Sequence, residues 1–232
     1  PASPTTAGPS RLPKRGPDLT SPVSGSYRGK RLVDLGLVAL TAGPAVLVGL
    51  AVAIAIRLGS PGPAILAIPR VGRGGVVFGM LKFRTTVDAN DHHPPLDDPR
   101  TTTVGRWVRR LSLDELPQLL NVARGEMSVV GPRPTSDETV TRYSDDQWRR
   151  VSVRPGVTGL AQISGRNHLD WAERLTVDLA YLDAQSPRED LRIILATVRS
   201  AAVGHGAELP QDRDTSGYWL GPSERDELGD GS

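Results

Sequence analysis

The stretch from Leu35 to Ile56 reads LGLVALTAGPAVLVGLAVAIAI, 22 residues without a charge. As a straight helix it would run roughly 33 Å, enough to cross the hydrocarbon core of a bilayer. A buried core helix is the competing reading, and the length argues against it. Two features modify a simple crossing. Gly43-Pro44 stands near the middle, where proline removes a backbone donor and kinks a helix. Both flanks are positive: Lys30 and Arg31 precede the run, and Arg57, Arg70 and Arg73 follow it. Cytoplasmic flanks favour Lys and Arg, so charge on both sides places both ends on one face. A re-entrant segment that enters, bends at Pro44 and returns satisfies this. A kinked full crossing is the alternative. The bend leaves irregular backbone that needs polar partners.

Upstream, residues 1–29 are dominated by Pro, Ser, Thr and Gly and carry no apolar periodicity. Such a segment cannot bury enough surface to offset its chain entropy, so a disordered tail is expected. It has no apolar core of a signal peptide. The first residue is Pro, so at least an initiator residue is expected upstream of it. The whole chain has 232 residues, 38% of them hydrophobic and 4% aromatic, which allows one modest core. The absence of Cys excludes a disulfide framework, thiolate zinc sites and cysteine catalysis. A net charge of +2 is too small to mark a nucleic-acid binder by bulk charge. Lysine occurs only at 14, 30 and 82, against a background of arginine.

Downstream, Ser60-Pro61-Gly62-Pro63 is a turn cluster. Ala64–Ile68 and Val76–Lys82 are β-type runs around Gly72-Arg73-Gly74-Gly75, which predicts a hairpin. Residues 88–103 read as a polar loop. Its His92, His93, Asp97 and Asp98 could hold a metal, although two prolines and the lack of periodicity favour a solvated loop. Val104–Leu111 is a short basic amphipathic stretch. Arg106, Arg109 and Arg110 lie beside Trp107, Val108 and Leu111, a pattern suited to an anionic membrane surface or to an ordinary surface helix. Helices are predicted over 115–123, closed by Gly125, and over 139–151, 168–184 and 187–203. The last places Leu191, Ile194, Leu195 and Val198 on one face. Residues 207–232 form an acidic tail, expected to be disordered.

The chemistry concentrates at Leu113-Asp114-Glu115-Leu116-Pro117-Gln118. If Asp114 is an N-cap, Pro117 falls in the first turn, where its missing N–H is harmless. Ser112 and Glu115 also fit a capping box. The same geometry serves chemistry. A helix N-terminus attracts phosphate, and a carboxylate there can attack phosphorus or hold a metal. Two further elements point to phosphate. Lys82 and Arg84 alternate on a predicted strand and project to one side of it. Arg133 sits between Pro132 and Pro134, where its planar fork matches phosphate oxygens. Together with a membrane segment, these residues suit an anionic substrate at the bilayer surface.

The chain resembles the bacterial sugar transferase family, the polyprenyl-phosphate phosphoglycosyl transferases. The matching pieces are Lys30-Arg31-Leu32-Val33-Asp34, Ser60-Pro61-Gly62-Pro63, Arg70-Val71-Gly72, Lys82-Phe83-Arg84-Thr85, Asp98-Pro99-Arg100 and Val104-Gly105-Arg106. They continue with SLDELPQLLN (Ser112 to Asn121), GEMSVVGPRP (Gly125 to Pro134), RPGVTGLAQ (Arg154 to Gln162), Gly165-Arg166-Asn167 and Asp178-Leu179-Ala180-Tyr181. These pieces stand in family order over about residues 30–206. Three positions depart from the family pattern. Ile68-Pro69 precede the Arg-Val-Gly, Thr86 replaces a Met, and Gly43-Pro44 replaces Ser-Pro at the bend. The last leaves the bend without that hydroxyl.

The resemblance implies transfer of a sugar-1-phosphate from a UDP-sugar to polyprenyl (undecaprenyl) phosphate, with release of UMP. Such a step initiates synthesis of exopolysaccharide, O-antigen or another surface glycan. It implies Asp114 as nucleophile and Glu115 as ligand of Mg²⁺. Lys82, Arg84, Arg133 and Arg166 would bind phosphate oxygens, with Asp178 as polar support. Two other readings compete: a membrane-anchored nucleotide-sugar hydrolase, and a non-catalytic lipid-binding scaffold. The expected architecture is α+β, a mostly helical monotopic membrane protein with a re-entrant helix-break-helix over 30–58 and a small β-hairpin. A catalytic domain would span 59–206 at the cytoplasmic face of the cell membrane.

Overall fold

The computed structural model describes residues 26–87, 98–164 and 169–202. Most of the two tails, and the loop carrying His92, His93 and Asp97, lie outside these residues. The apolar stretch forms one helix, α1 (Lys30–Gly59), with Pro44 inside it. The expected break is therefore not a break in the helix. Proline deletes one N–H, and its neighbours keep theirs. The Thr41 hydroxyl, three residues ahead of Pro44, donates to the carbonyls of Leu37 (2.8 Å) and Val38 (3.3 Å). Back-bonding of this kind bends helices. The departure from Ser-Pro thus still leaves a hydroxyl, that of Thr41, close to Pro44.

Both ends of α1 rest on the same body. At its start, Lys30 Nζ pairs with Asp190 at 2.5 Å, and Asp34 accepts from Ser128 Oγ and the Val129 N–H. At its end, Val52 and Ile56 pack with Phe83 and Val108. Between them Leu40, Val46, Leu47 and Leu50 are exposed. The helix is long and apolar enough to cross a membrane.

Strands β1 (Ile65–Val71) and β2 (Val77–Phe83) form the predicted antiparallel hairpin, with Leu66 opposite Lys82. Its turn passes through Gly74 and Gly75, both at positive φ, which glycine alone adopts without strain. Helix α2 (Thr103–Arg110) follows, capped by the Thr102 hydroxyl on Gly105 N–H. Then come α3 (Gln118–Arg124), closed by Gly125 at positive φ, and β3 (Ser128–Val130). The predicted helix over 139–151 is instead α4 (Asp137–Val140) and a separate 3₁₀ turn, Gln147–Ser152. Ser144 and Gln147 exchange side-chain bonds with each other's N–H groups, which competes with a continuous helix. Strand β4 (Gly156–Thr158) pairs parallel with β3, a contact the sequence reading missed. It needs two glycines: a Cβ on Gly156 would lie 2.2 Å from Gly131 N.

Three helices complete the chain: α5 (Leu160–Ser164), α6 (Trp171–Ala184) and α7 (Pro187–Ala202). Helix α6 opens with a capping box between Asp170 and Glu173. Helix α7 buries Ile193 in the core beside Val130, Tyr181 and Leu182. Of its predicted apolar face, Ile194 packs against this cluster while Leu191, Leu195 and Val198 are exposed. The fold is α+β and mostly helical, as expected.

Gly105 sets the distance between α2 and the end of the hairpin. A Cβ there would sit 2.0 Å from the Thr85 carbonyl oxygen. Alanine would gain about 1 kcal/mol of helix propensity, but overpacking against backbone costs about 1–3 kcal/mol. We expect Gly105→Ala to lower the melting temperature of the detergent-solubilised protein by roughly 2–8 °C. An unchanged or higher melting temperature would show that the helix can move away.

Candidate active site

Between α2 and α3 the chain makes a 3₁₀ turn, Leu113–Glu115. Ser112 enters it at φ 53°, the one positive φ among described residues other than glycine. A left-handed serine costs on the order of 1 kcal/mol, and such strain is characteristic of functional sites. Asp114 is not a helix cap. It lies within the turn, no side-chain cap bond forms at Ser112 or at Pro117, and α3 begins only at Gln118. The capping reading fails because the carboxylate has a stronger partner. Lys82 Nζ stands 3.1 Å from Asp114 Oδ2, and both side chains are almost fully buried.

Burial pushes the Asp114 pKa up, Lys82 pulls it back, and the Glu115 charge raises it again; Arg109, also buried, opposes. The net shift is upward. An acid whose pKa rises on folding favours the fold when protonated. That stabilisation is therefore present below the unfolded pKa and lost as pH rises through the folded one. The fold holds this carboxylate at a cost to its own stability.

Glu115 points the other way, to a more open position. Its Oε1 accepts from Arg133 Nη2 at 2.9 Å, with side chains 16% and 21% exposed. The structure thus brings four predicted residues together from three elements: Lys82 on β2, Asp114 and Glu115 on the turn, and Arg133 after β3. The two ion pairs stand side by side along the chain, one sealed and one accessible.

Arg84 does not join them. Its guanidinium donates to the carbonyls of Pro61 and Ser60 and to Ser60 Oγ, so it pins the Ser-Pro-Gly-Pro turn to the end of β2. A Cβ on Gly62 would collide with it, which explains the glycine there. Arg84 lies one residue past the end of β2, and this second cation serves the architecture. Asp178 is also set back: it accepts from Arg150 Nε at 2.7 Å. Arg166 lies outside the described residues.

Sequence reasoning missed Asn121. Its amide accepts from Leu81 N–H (2.9 Å) and donates to Gly79 C=O (2.8 Å) and to Glu126 (2.7 Å). It bolts α3 to β2 next to Lys82 and so fixes the acid turn over the lysine. Its signal was its place at the end of the family piece SLDELPQLLN, which the reading did not use. Arg150 was missed for lack of any pattern around it.

Among the described residues no cluster of three metal-ligating side chains exists. The accessible carboxylate of Glu115 is what remains. An oxygen ligand of that kind fits Mg²⁺, which commonly takes one or two carboxylates and completes its octahedron with water and substrate phosphates.

The sequence pattern of the family described as "Bacterial sugar transferase" matches residues 26–204, and the chain belongs to that family. It is 41% identical over 182 residues to the sugar transferase EpsL of Bacillus subtilis (strain 168), covering 77% of this chain and 90% of that protein. It is 42% identical over 172 residues to the undecaprenyl-phosphate glucose phosphotransferase of Komagataeibacter xylinus. It is 40% identical over 165 residues to the undecaprenyl-phosphate galactose phosphotransferase of Salmonella typhimurium. These two matches cover 67% and 63% of this chain but only 32% and 35% of those larger proteins.

The electrostatics of the sealed pair give a direct expectation. Carboxyl carbon NMR should show Asp114 taking up its proton above the range of ordinary aspartates. Lys82→Met removes the opposing cation and should move that midpoint further up. A midpoint that stays or falls would mean Lys82 does not hold the charge on Asp114.

Proposed function

We propose that this protein transfers a sugar-1-phosphate from a UDP-sugar to polyprenyl phosphate at the cytoplasmic face of the membrane, releasing UMP. The observation that carries the reading is the buried Asp114–Lys82 pair beside the accessible Glu115–Arg133 pair. Family membership supports it, as do relatives named for undecaprenyl-phosphate sugar transfer and for exopolysaccharide production.

The reaction runs in two displacements. An Asp114 carboxylate oxygen forms a bond to the sugar-bearing phosphorus, and the bond from that phosphorus to the UMP oxygen breaks. A polyprenyl phosphate oxygen then attacks the same phosphorus and expels Asp114 as a carboxylate. The product is a diphosphate-linked lipid sugar. Lys82 follows the negative charge as it passes from the carboxylate to the phosphoryl oxygens, a preorganised stabilisation that strengthens in a dry site. Arg133 presents a planar fork to the diphosphate. Mg²⁺, held by Glu115, would neutralise charge on the diphosphate and the departing UMP.

The membrane reading rests on α1. Its ends sit on one body while its middle is apolar and exposed, which favours a helix that dips into one leaflet over one that crosses. The flanking Lys30, Arg31 and Arg57 favour the cytoplasmic side. On α2, exposed Trp107 and Leu111 stand beside exposed Arg106 and Arg110, just ahead of the acid turn. That pattern suits the headgroup layer, where the lipid substrate carries its phosphate.

The test is a panel of UDP-sugars assayed with Mg²⁺ and polyprenyl phosphate. One of them should give UMP and a lipid-linked product, and rapid quenching should leave a sugar phosphate on Asp114 by peptide mass. Asp114→Asn should lower turnover by at least about 10³-fold with membrane association unchanged. Free sugar phosphate in place of the lipid product would favour a hydrolase, and no UMP with any donor would favour a scaffold.

A further inference from the structure

Arg133 stands in a segment whose main chain is tied at nearly every residue. Gly131 N–H donates to Thr158, Pro132 C=O accepts from Gly156 N–H, and Thr135 C=O accepts from Val71 N–H. The Arg133 carbonyl is held differently, by a side chain. Arg150 Nη2 donates to it at 2.7 Å. The same guanidinium donates through Nε to Asp178 (2.7 Å) and through Nη1 to the Tyr143 hydroxyl (2.6 Å) and to Thr135 Oγ1 (3.2 Å). It is buried, with its cation over the Trp171 ring at 5.8 Å. Burial alone would lower its pKa, but Tyr143 and Asp178 outweigh that and raise it, so it stays charged. One turn along α6 from Asp178, the Tyr181 hydroxyl donates to Asp190 at 2.7 Å, and the Tyr181 side chain packs with Val130 in the core. Helix α6 therefore packs on the start of the 130–135 segment through Tyr181 and holds the Arg133 carbonyl through Asp178 and Arg150.

A buried guanidinium is costly, and here four acceptors, the Arg133 carbonyl among them, fix its orientation. A planar fork fixes direction as well as distance. We propose that Arg150 is a positioning residue for the transfer reaction. Held by Asp178, it sets the main chain of Arg133 and thereby aims the Arg133 fork at Glu115 and the substrate diphosphate. Arg150 touches no reacting atom. The inference rests on the reaction proposed above and adds to it a residue that reaches the site only through another.

A double-mutant cycle in the full chain tests this, with UMP release per folded molecule as the readout. Arg150→Lys keeps the charge and loses the fork. It should lower kcat/KM about 10–100-fold, the usual cost of losing a group that orients a reacting one. In an Arg133→Ala background the same change should cost less than about threefold, because Arg133 is no longer there to be aimed. A purely structural role would give equal losses in both backgrounds, and that result overturns the proposal. So does wild-type kcat/KM in Arg150→Lys. If Arg150→Lys does not fold, Asp178→Asn is carried through the same cycle against the same two outcomes. A wild-type chain that releases no UMP removes the reaction and this inference together; turnover by wild type with additive losses removes the inference alone.

Discussion

Sealing Lys82 and Asp114 together inside the protein is the constraint around which the rest is built. Each buried charge carries a desolvation penalty of several kcal/mol, and only close pairing and good geometry offset it. The surrounding structure supplies that geometry. Asn121 fastens α3 to the backbone of β2, Ser112 accepts a left-handed conformation to drop the acid turn onto the strand, and Gly105 lets α2 approach the strand's end. A carboxylate held this way is paired with Lys82 and shielded from water. Its neighbour Glu115 keeps contact with solvent and with Arg133, so two adjacent acids occupy different dielectric environments and can do different work.

The apolar helix is part of this site as well as an anchor. Its first residue pairs with Asp190, which also accepts from Tyr181 and Tyr27. Burial and the Asp190 carboxylate raise the pKa of both tyrosines, so they remain donors. Arg31 donates to the carbonyls of Val122 and Ala123 at the end of α3, and Asp34 satisfies the start of β3. At the other end Val52 and Ile56 pack on Phe83, the residue after Lys82. The apolar helix and the site thus share the same contacts.

Much of this was legible in the chain. The uncharged run, its central proline and its basic flanks specified an anchor because hydrophobic length and charge act locally. The hairpin was readable because alternation and glycine turns are short-range. The acid pair and Arg133 were readable as chemistry because family order carried them. Other residues were not readable. Lys82 and Arg84 look equivalent two positions apart on one strand, yet one meets a carboxylate and the other a turn. Asp114 has the spacing of a helix cap and is none. The parallel pairing of β3 with β4 joins three-residue strands far apart in sequence, too short to declare themselves.

The sequence by itself determined the long apolar helix, the β-hairpin and the set of groups able to handle phosphate, since propensity, periodicity and charge belong to segments. Only the tertiary structure decided which cation faces which acid, that Asp114 is sealed while Glu115 is open, and that Arg150 stands behind Arg133. Those are statements about distance and dielectric between residues separated by tens of positions, and a buried ion pair exists only once packing has excluded the water that would otherwise solvate each charge alone.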